Sequence, residues 1–212
     1  MAAAMMGSPS LREQMKRLRE GKISGDELYR LIHEFGEAKF IEAEPDVVAA
    51  LRHDDYLIRY IAAMVLTYHW DLVAHRDDIE RLMEDPDPEV RRVAAGGLGF
   101  LLRETQDRHA TRLLIRKLRD ATEEGSVRNG AYHALLAMWV PATKDNREVL
   151  EGLRHELSRS ALMAKELEGA LKQSREALEA KLAFWRSEWE SRIDWELVAA
   201  IERGEVPDRP SK

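Results

Sequence analysis

The sequence predicts an all-α chain: a right-handed α-α superhelix of helical hairpins with capping helices at both ends. Three observations predict it. Apolar residues recur at helical spacing through most of the 212 residues. No Asn-Gly or Asp-Gly pair sits between two alternating apolar runs, so strand content should be near zero. A short pattern returns three times in the centre of the chain, as a stack of similar units would require.

Residues 1–9 are Ala/Met-rich, with no basic residue before a short apolar run. They lack the charged start and cleavage site of a secretory signal. They are expected to form a disordered tail, and the cytoplasm is the expected compartment. Residues 10–36 read as two N-terminal capping helices. Ser10 with Glu13, and Ser24 with Glu27, have the spacing of capping boxes. Leu28, Leu31, Ile32 and Phe35 form one apolar face, and Gly21 and Gly25 bracket the turn between the helices.

Residues 37–140 hold the repeats. Their kernels are Leu57-Ile58-Arg59-Tyr60-Ile61-Ala62, Glu89-Val90-Arg91-Arg92-Val93-Ala94 and Ser126-Val127-Arg128-Asn129-Gly130-Ala131. A leucine follows seven residues after each arginine: Leu66, Leu98 and Leu135. The arginines are 32 and then 37 residues apart. Each kernel follows an apolar helix and an acidic turn, such as Asp85-Pro86-Asp87-Pro88. The unit is therefore a helical hairpin whose second helix starts at an Asp or Ser cap, with Pro88 at the first position where its missing N–H costs nothing. Ile58/Val90/Val127, Ala62/Ala94/Ala131 and Leu66/Leu98/Leu135 fall on one stripe. One hairpin cannot bury that stripe alone, so neighbours must stack.

Asp87, Val90, Arg91, Ala94, Ala95 and Leu98 make the chain resemble the HEAT-repeat family, in its short bacterial form. The first unit departs with Ile58, the third with Gly130 beside a single Ala131. The resemblance covers roughly residues 37–140. It implies a non-catalytic scaffold that holds a protein or peptide partner on a concave face lined by the second helices. It also implies a structural ladder, in which Arg59, Arg91 and Arg128 pair with turn acids such as Asp54, Asp85 and Glu123. Residues one and five after each arginine should face the groove. The candidate partner-binding residues are Tyr60, Met64, Arg92, Asn129 and His133, with Gly96 in the same row leaving room for the partner.

Residues 141–204 read as a C-terminal hairpin or degenerate capping repeat. Asp145 and Glu148 could form a further capping box, and Val149, Leu150, Leu153 and Leu157 make a helix face. A long helix is expected from about residue 160, striped by Leu167, Leu171, Leu178, Leu182, Trp185 and Trp189. Packed on the body, that stripe is core. Projecting, it would offer a route to a homodimer by burial of an apolar patch. Residues 205–212, with Pro207 and Pro210, are expected to be a disordered tail.

Thirty-nine acids against thirty-three bases leave a charge of −6, which disfavours nucleic acid as a partner. No run approaches the ~20 apolar residues of a membrane span. With no cysteine, disulfides, thiol nucleophiles and thiolate metal sites are excluded. His33-Glu34 and His155-Glu156 are similar to the pairs of deoxyhypusine hydroxylase, an iron enzyme on HEAT-like repeats. That enzyme needs four pairs on second helices, and here two stand 122 residues apart. Asp77, Asp78, Asp85 and Asp87 lack the turn glycine of a calcium loop. Bilin lyases and a DNA-glycosylase class also use such repeats. The former is the enzymatic alternative alongside the hydroxylase, and the latter lacks its basic cleft here. No Ser/His/Asp set, Walker loop or dinucleotide fingerprint appears. The chain is expected to need no catalytic residue, cofactor or metal.

Overall fold

A computed structural model describes residues 10–140, 180 and 190–205. Those residues contain helices and turns and no strand. The expected hairpin helix at 149–157, the long helix striped by Leu167 to Trp189, the Asp145 capping box and both outer tails lie outside the described residues, Glu205 apart. The chain divides into two compact units, residues 1–101 and 102–212.

In the first unit, α1 (Leu11–Arg19) and α2 (Gly25–Glu37) precede two hairpins. Ser10 caps α1 by accepting from the Glu13 amide at 3.3 Å. Gly21, at φ +70°, ends it: the Lys22 amide donates to Arg17 and the Gly21 amide to Leu18, which satisfies carbonyls left over at the helix end. The second expected capping box does not form. Ser24 makes no side-chain cap bond, and Gly25, the residue after it, enters α2 at φ +55°, outside the helical region. Leu28, Leu31, Ile32 and Phe35 are buried, as their spacing predicts.

The first hairpin pairs α3 (Glu44–Ala50) with α4 (Tyr56–Met64), and the second pairs α5 (Arg76–Leu82) with α6 (Pro88–Leu101). Asp55 accepts from the Leu57 amide and Asp87 from the Glu89 amide, both at 2.9 Å. Pro88 is the first residue of α6. Ile58, Ala62, Leu66, Val90, Ala94 and Leu98 are all at most 1% exposed, so the stripe read from the repeats is the core.

Beyond Met64, α4 changes pitch. Val65–His69 is a π-helical turn, closed where the Trp70 amide donates to the Val65 carbonyl at 2.9 Å. Buried Thr67 donates its hydroxyl to the Ala63 carbonyl, and the Trp70 indole donates to the Phe35 carbonyl on α2. Glycines make room on both sides. A side chain at Gly36 would meet Val65 and His69; one at Gly97 would meet Thr67 within 3.0 Å.

In the second unit, α7 (Arg108–Arg119) and α8 (Gly125–Trp139) form the third hairpin. Val127, Ala131 and Leu135 are buried. The expected Ser cap is not used: α8 starts after Glu124 and has no side-chain cap bond, while Asp120 binds the Thr122 amide within the longer turn. A short α9 (Trp195–Arg203), absent from the sequence reading, packs on α7 and α8. Asp194 caps it, and Gly204 at φ +81° ends it in the same way that Gly21 ends α1. Arg119 forms a two-armed ion pair with Glu202, tying α7 to α9.

Candidate partner-binding surface

The first unit brings two of the predicted residues together. Tyr60 stands on α4 and Arg92 on α6, each one residue past its kernel arginine and both half-buried. The Arg92 guanidinium lies 5.9 Å from the Tyr60 ring centre, a cation–π contact. Glu89, one turn back on α6, accepts from Arg92 at 2.7 and 3.0 Å. Burial works against the Arg92 charge, but Glu89 outweighs it, so the guanidinium holds its proton more tightly than an ordinary arginine. Met64 is half-buried one turn further along α4.

Two tyrosines enlarge this patch. Tyr68 on the π turn and Tyr29 on α2 both have raised hydroxyl pKa values, chiefly through burial; for Tyr68 the Arg92 charge opposes the rise, and in both the neighbouring Tyr60 adds to it. The Tyr68 ring also packs 5.2 Å from Phe100 on α6. Gly96 has a different role from the one its place in the row suggests. The Tyr68 hydroxyl occupies the space that a side chain there would need, so the glycine serves an internal contact rather than a partner. Tyr29 carried no repeat signal, because it lies outside the kernels.

Asn129 and His133 belong to the second unit. Both are half-buried on α8, and the His133 ring lies 5.8 Å from Tyr132. The Tyr132 hydroxyl accepts from the Asp194 amide, fixing the middle of α8 to the start of α9.

The kernel arginines Arg59 and Arg91 bind the turns. Arg59 makes a two-armed pair with Asp85, both bonds at 2.7 Å, and donates to the His53 and Asp54 carbonyls. Arg91 repeats the carbonyl contacts one hairpin later, donating to Asp85 and Pro86. Asp54 thus offers its carbonyl to the arginine of its own hairpin. Arg128 departs from the pattern: it donates to the Leu118 carbonyl and pairs with Glu190 at 2.6 Å.

The acids weighed as a calcium loop are held by protein donors. Asp85 binds Arg59, Asp87 caps α6, and Asp78 pairs with Arg52 and Arg81. His33 lies on α2, ahead of the first hairpin, and His155-Glu156 is outside the described residues. Among the described residues no helix is long and apolar enough to cross a membrane.

Residues 78–172 match the family model for HEAT repeats. The match begins in α5 and runs past the third hairpin. No curated protein matches the chain significantly.

Proposed function

The chain is a HEAT-repeat protein, and on that premise we propose that it is a non-catalytic scaffold or adaptor binding a protein or peptide partner. HEAT repeats generally mediate protein–protein interaction. The partner would contact the second helices through Tyr60, Met64, Arg92, Asn129 and His133. The observation that carries this reading is the Tyr60–Arg92 pair. Tyr and Arg are enriched where interfaces gain most of their affinity. Here Glu89 and the ring itself hold the guanidinium in place, so little side-chain freedom remains to be lost on binding.

The test is affinity capture from the native host, quantified by mass spectrometry against a variant. Tyr60→Ala/Arg92→Ala should keep its helicity, melt only a few degrees below the parent, and lose the partners that the parent retains. The exposed charges Arg81 and Arg116 serve as references. If their reversal to Glu releases the partners while the Tyr60/Arg92 variant keeps them, the surface is misassigned.

A further inference from the structure

His33 and Glu37 stand one helical turn apart on α2 and so share a face. The π turn brings His69 beside them from α4, and Gly36 makes the approach possible. A Cβ at Gly36 would lie 3.1 Å from the His69 Cγ and 3.2 Å from its Nδ1, so the imidazole lies over bare backbone. The residue after His69 is fixed twice, by the Trp70 amide on the Val65 carbonyl and by the Trp70 indole on the Phe35 carbonyl.

The three side chains converge. His69 Nδ1 is 3.4 Å from Glu37 Oε1, His33 Nε2 is 4.0 Å from the same oxygen, and all three ligand atoms lie within 4.8 Å of one another. Both separations exceed the ~2.7–3.2 Å of an N–H···O hydrogen bond. The His69–Glu37 separation matches the spacing of two donors on one tetrahedral ion, which metal–nitrogen bonds of ~2.0–2.1 Å set at about 3.4 Å, and the exposed His33 side chain, at 4.0 Å, has only a short way to close. Two imidazoles and a carboxylate are a borderline nitrogen/oxygen set, suited to zinc and its transition-metal neighbours rather than to calcium or magnesium. The pairing differs from the adjacent His33-Glu34 that sequence alone draws attention to. Glu34 follows His33 directly and sits about 100° further round the helix, whereas Glu37 returns to the same face.

We propose that His33, Glu37 and His69 form a binding site for a divalent transition-metal ion, zinc above all, with a fourth position open to water or to a donor atom from a bound partner. π turns inside helices recur at functional sites, and this one supplies a ligand. The exposure of His33 and Glu37 leaves that fourth position accessible.

The test is calorimetric titration of chelator-treated full-length protein with zinc chloride. The wild type should show one saturable site per chain. Mutating even an outer-shell partner of a metal typically costs 10–100-fold in affinity, so His33→Gln and His69→Gln should each weaken binding by about tenfold or more. His75→Gln should leave it unchanged, because His75 is engaged elsewhere with Glu44. Exposed His33 is the deciding position should the His69 variant fold poorly. Absence of a saturable site in the wild type, or unchanged affinity and stoichiometry in His33→Gln, would overturn the proposal.

Discussion

The second helices α4 and α6 begin alike and end differently. Both bury a β-branched residue, an alanine and a leucine at the same offsets. Both send the kernel arginine back to the two carbonyls five and six residues earlier. After the leucine they part: α6 runs straight to Leu101, while α4 widens into the π turn. The kernel therefore governs how a hairpin closes and stacks, and the residues after it are left to distinguish one hairpin from the next.

The largest effect should come from the shared, closing end. Asp85 and Arg59 have side chains only 5% and 11% exposed. Asp85→Ala strands the guanidinium and should cost about 3–5 kcal/mol in urea unfolding. The pair also gives the fold an acid limit. Burial pushes the Asp85 pKa up, but the Arg59 hydrogen bonds, the Asp87 amide and then the Arg59 charge outweigh it, leaving the carboxyl below its ordinary value. A group depressed on folding contributes fully above its unfolded pKa of about 3.9, and that contribution is lost as pH falls through the folded value. Asp85→Asn should therefore flatten the stability-against-pH curve below about pH 4. An unchanged slope would locate the acid sensitivity elsewhere.

Ala94→Leu comes next. It overpacks the stripe that both helices share and should cost about 1–3 kcal/mol. Ala49→Leu, exposed on α3, should stay within about 0.5 kcal/mol. Equal melting temperatures for the two would break the stripe assignment.

Gly97→Ala probes the end where the helices differ. Crowding Thr67 should cost about 1–3 kcal/mol, less about 1 kcal/mol of better helix propensity. Repeated in a Thr67→Ala background, the same change should cost less, and the difference measures the coupling between α6 and the π turn. Additive costs would show that the glycine is not there for Thr67.

The smallest effect should be that of Arg92→Ala on stability, about 0.5–1 kcal/mol for the lost cation–π contact. A much larger loss of stability would make Arg92 a structural residue rather than a binding one.

Most of the core was legible because it depends on local spacing. The nine residues of the repeated stripe needed only a common register, and Pro88 with Asp87 marked a helix start without tertiary help. What escaped depends on distant partners. Arg128 finds Glu190 across 62 residues. The π turn has no composition signal: Thr67 and Trp70 hold it through Ala63 and Phe35, one of them on another helix. Ser24 matched a capping pattern but makes no cap bond ahead of Gly25, whose φ is positive. Of the candidate surface, Tyr60 and Arg92 followed from counting along the kernel. Tyr29 and the trio His33, Glu37 and His69 required knowing which helices meet.

The π turn also limits how far the hairpins can be compared by counting. Ten residues after the kernel arginine, α6 has Leu101, buried in the core, and α4 has His69, with part of its ring in solvent. The extra residue in the wide turn acts like a slipped tooth on a gear, displacing everything beyond it by roughly the 100° that one residue subtends on a helix. A consensus laid over the repeats would therefore assign the wrong face to the end of α4. A design that replaced this hairpin with a regular copy of its neighbour would keep the buried stripe and swing position 69 away from α2.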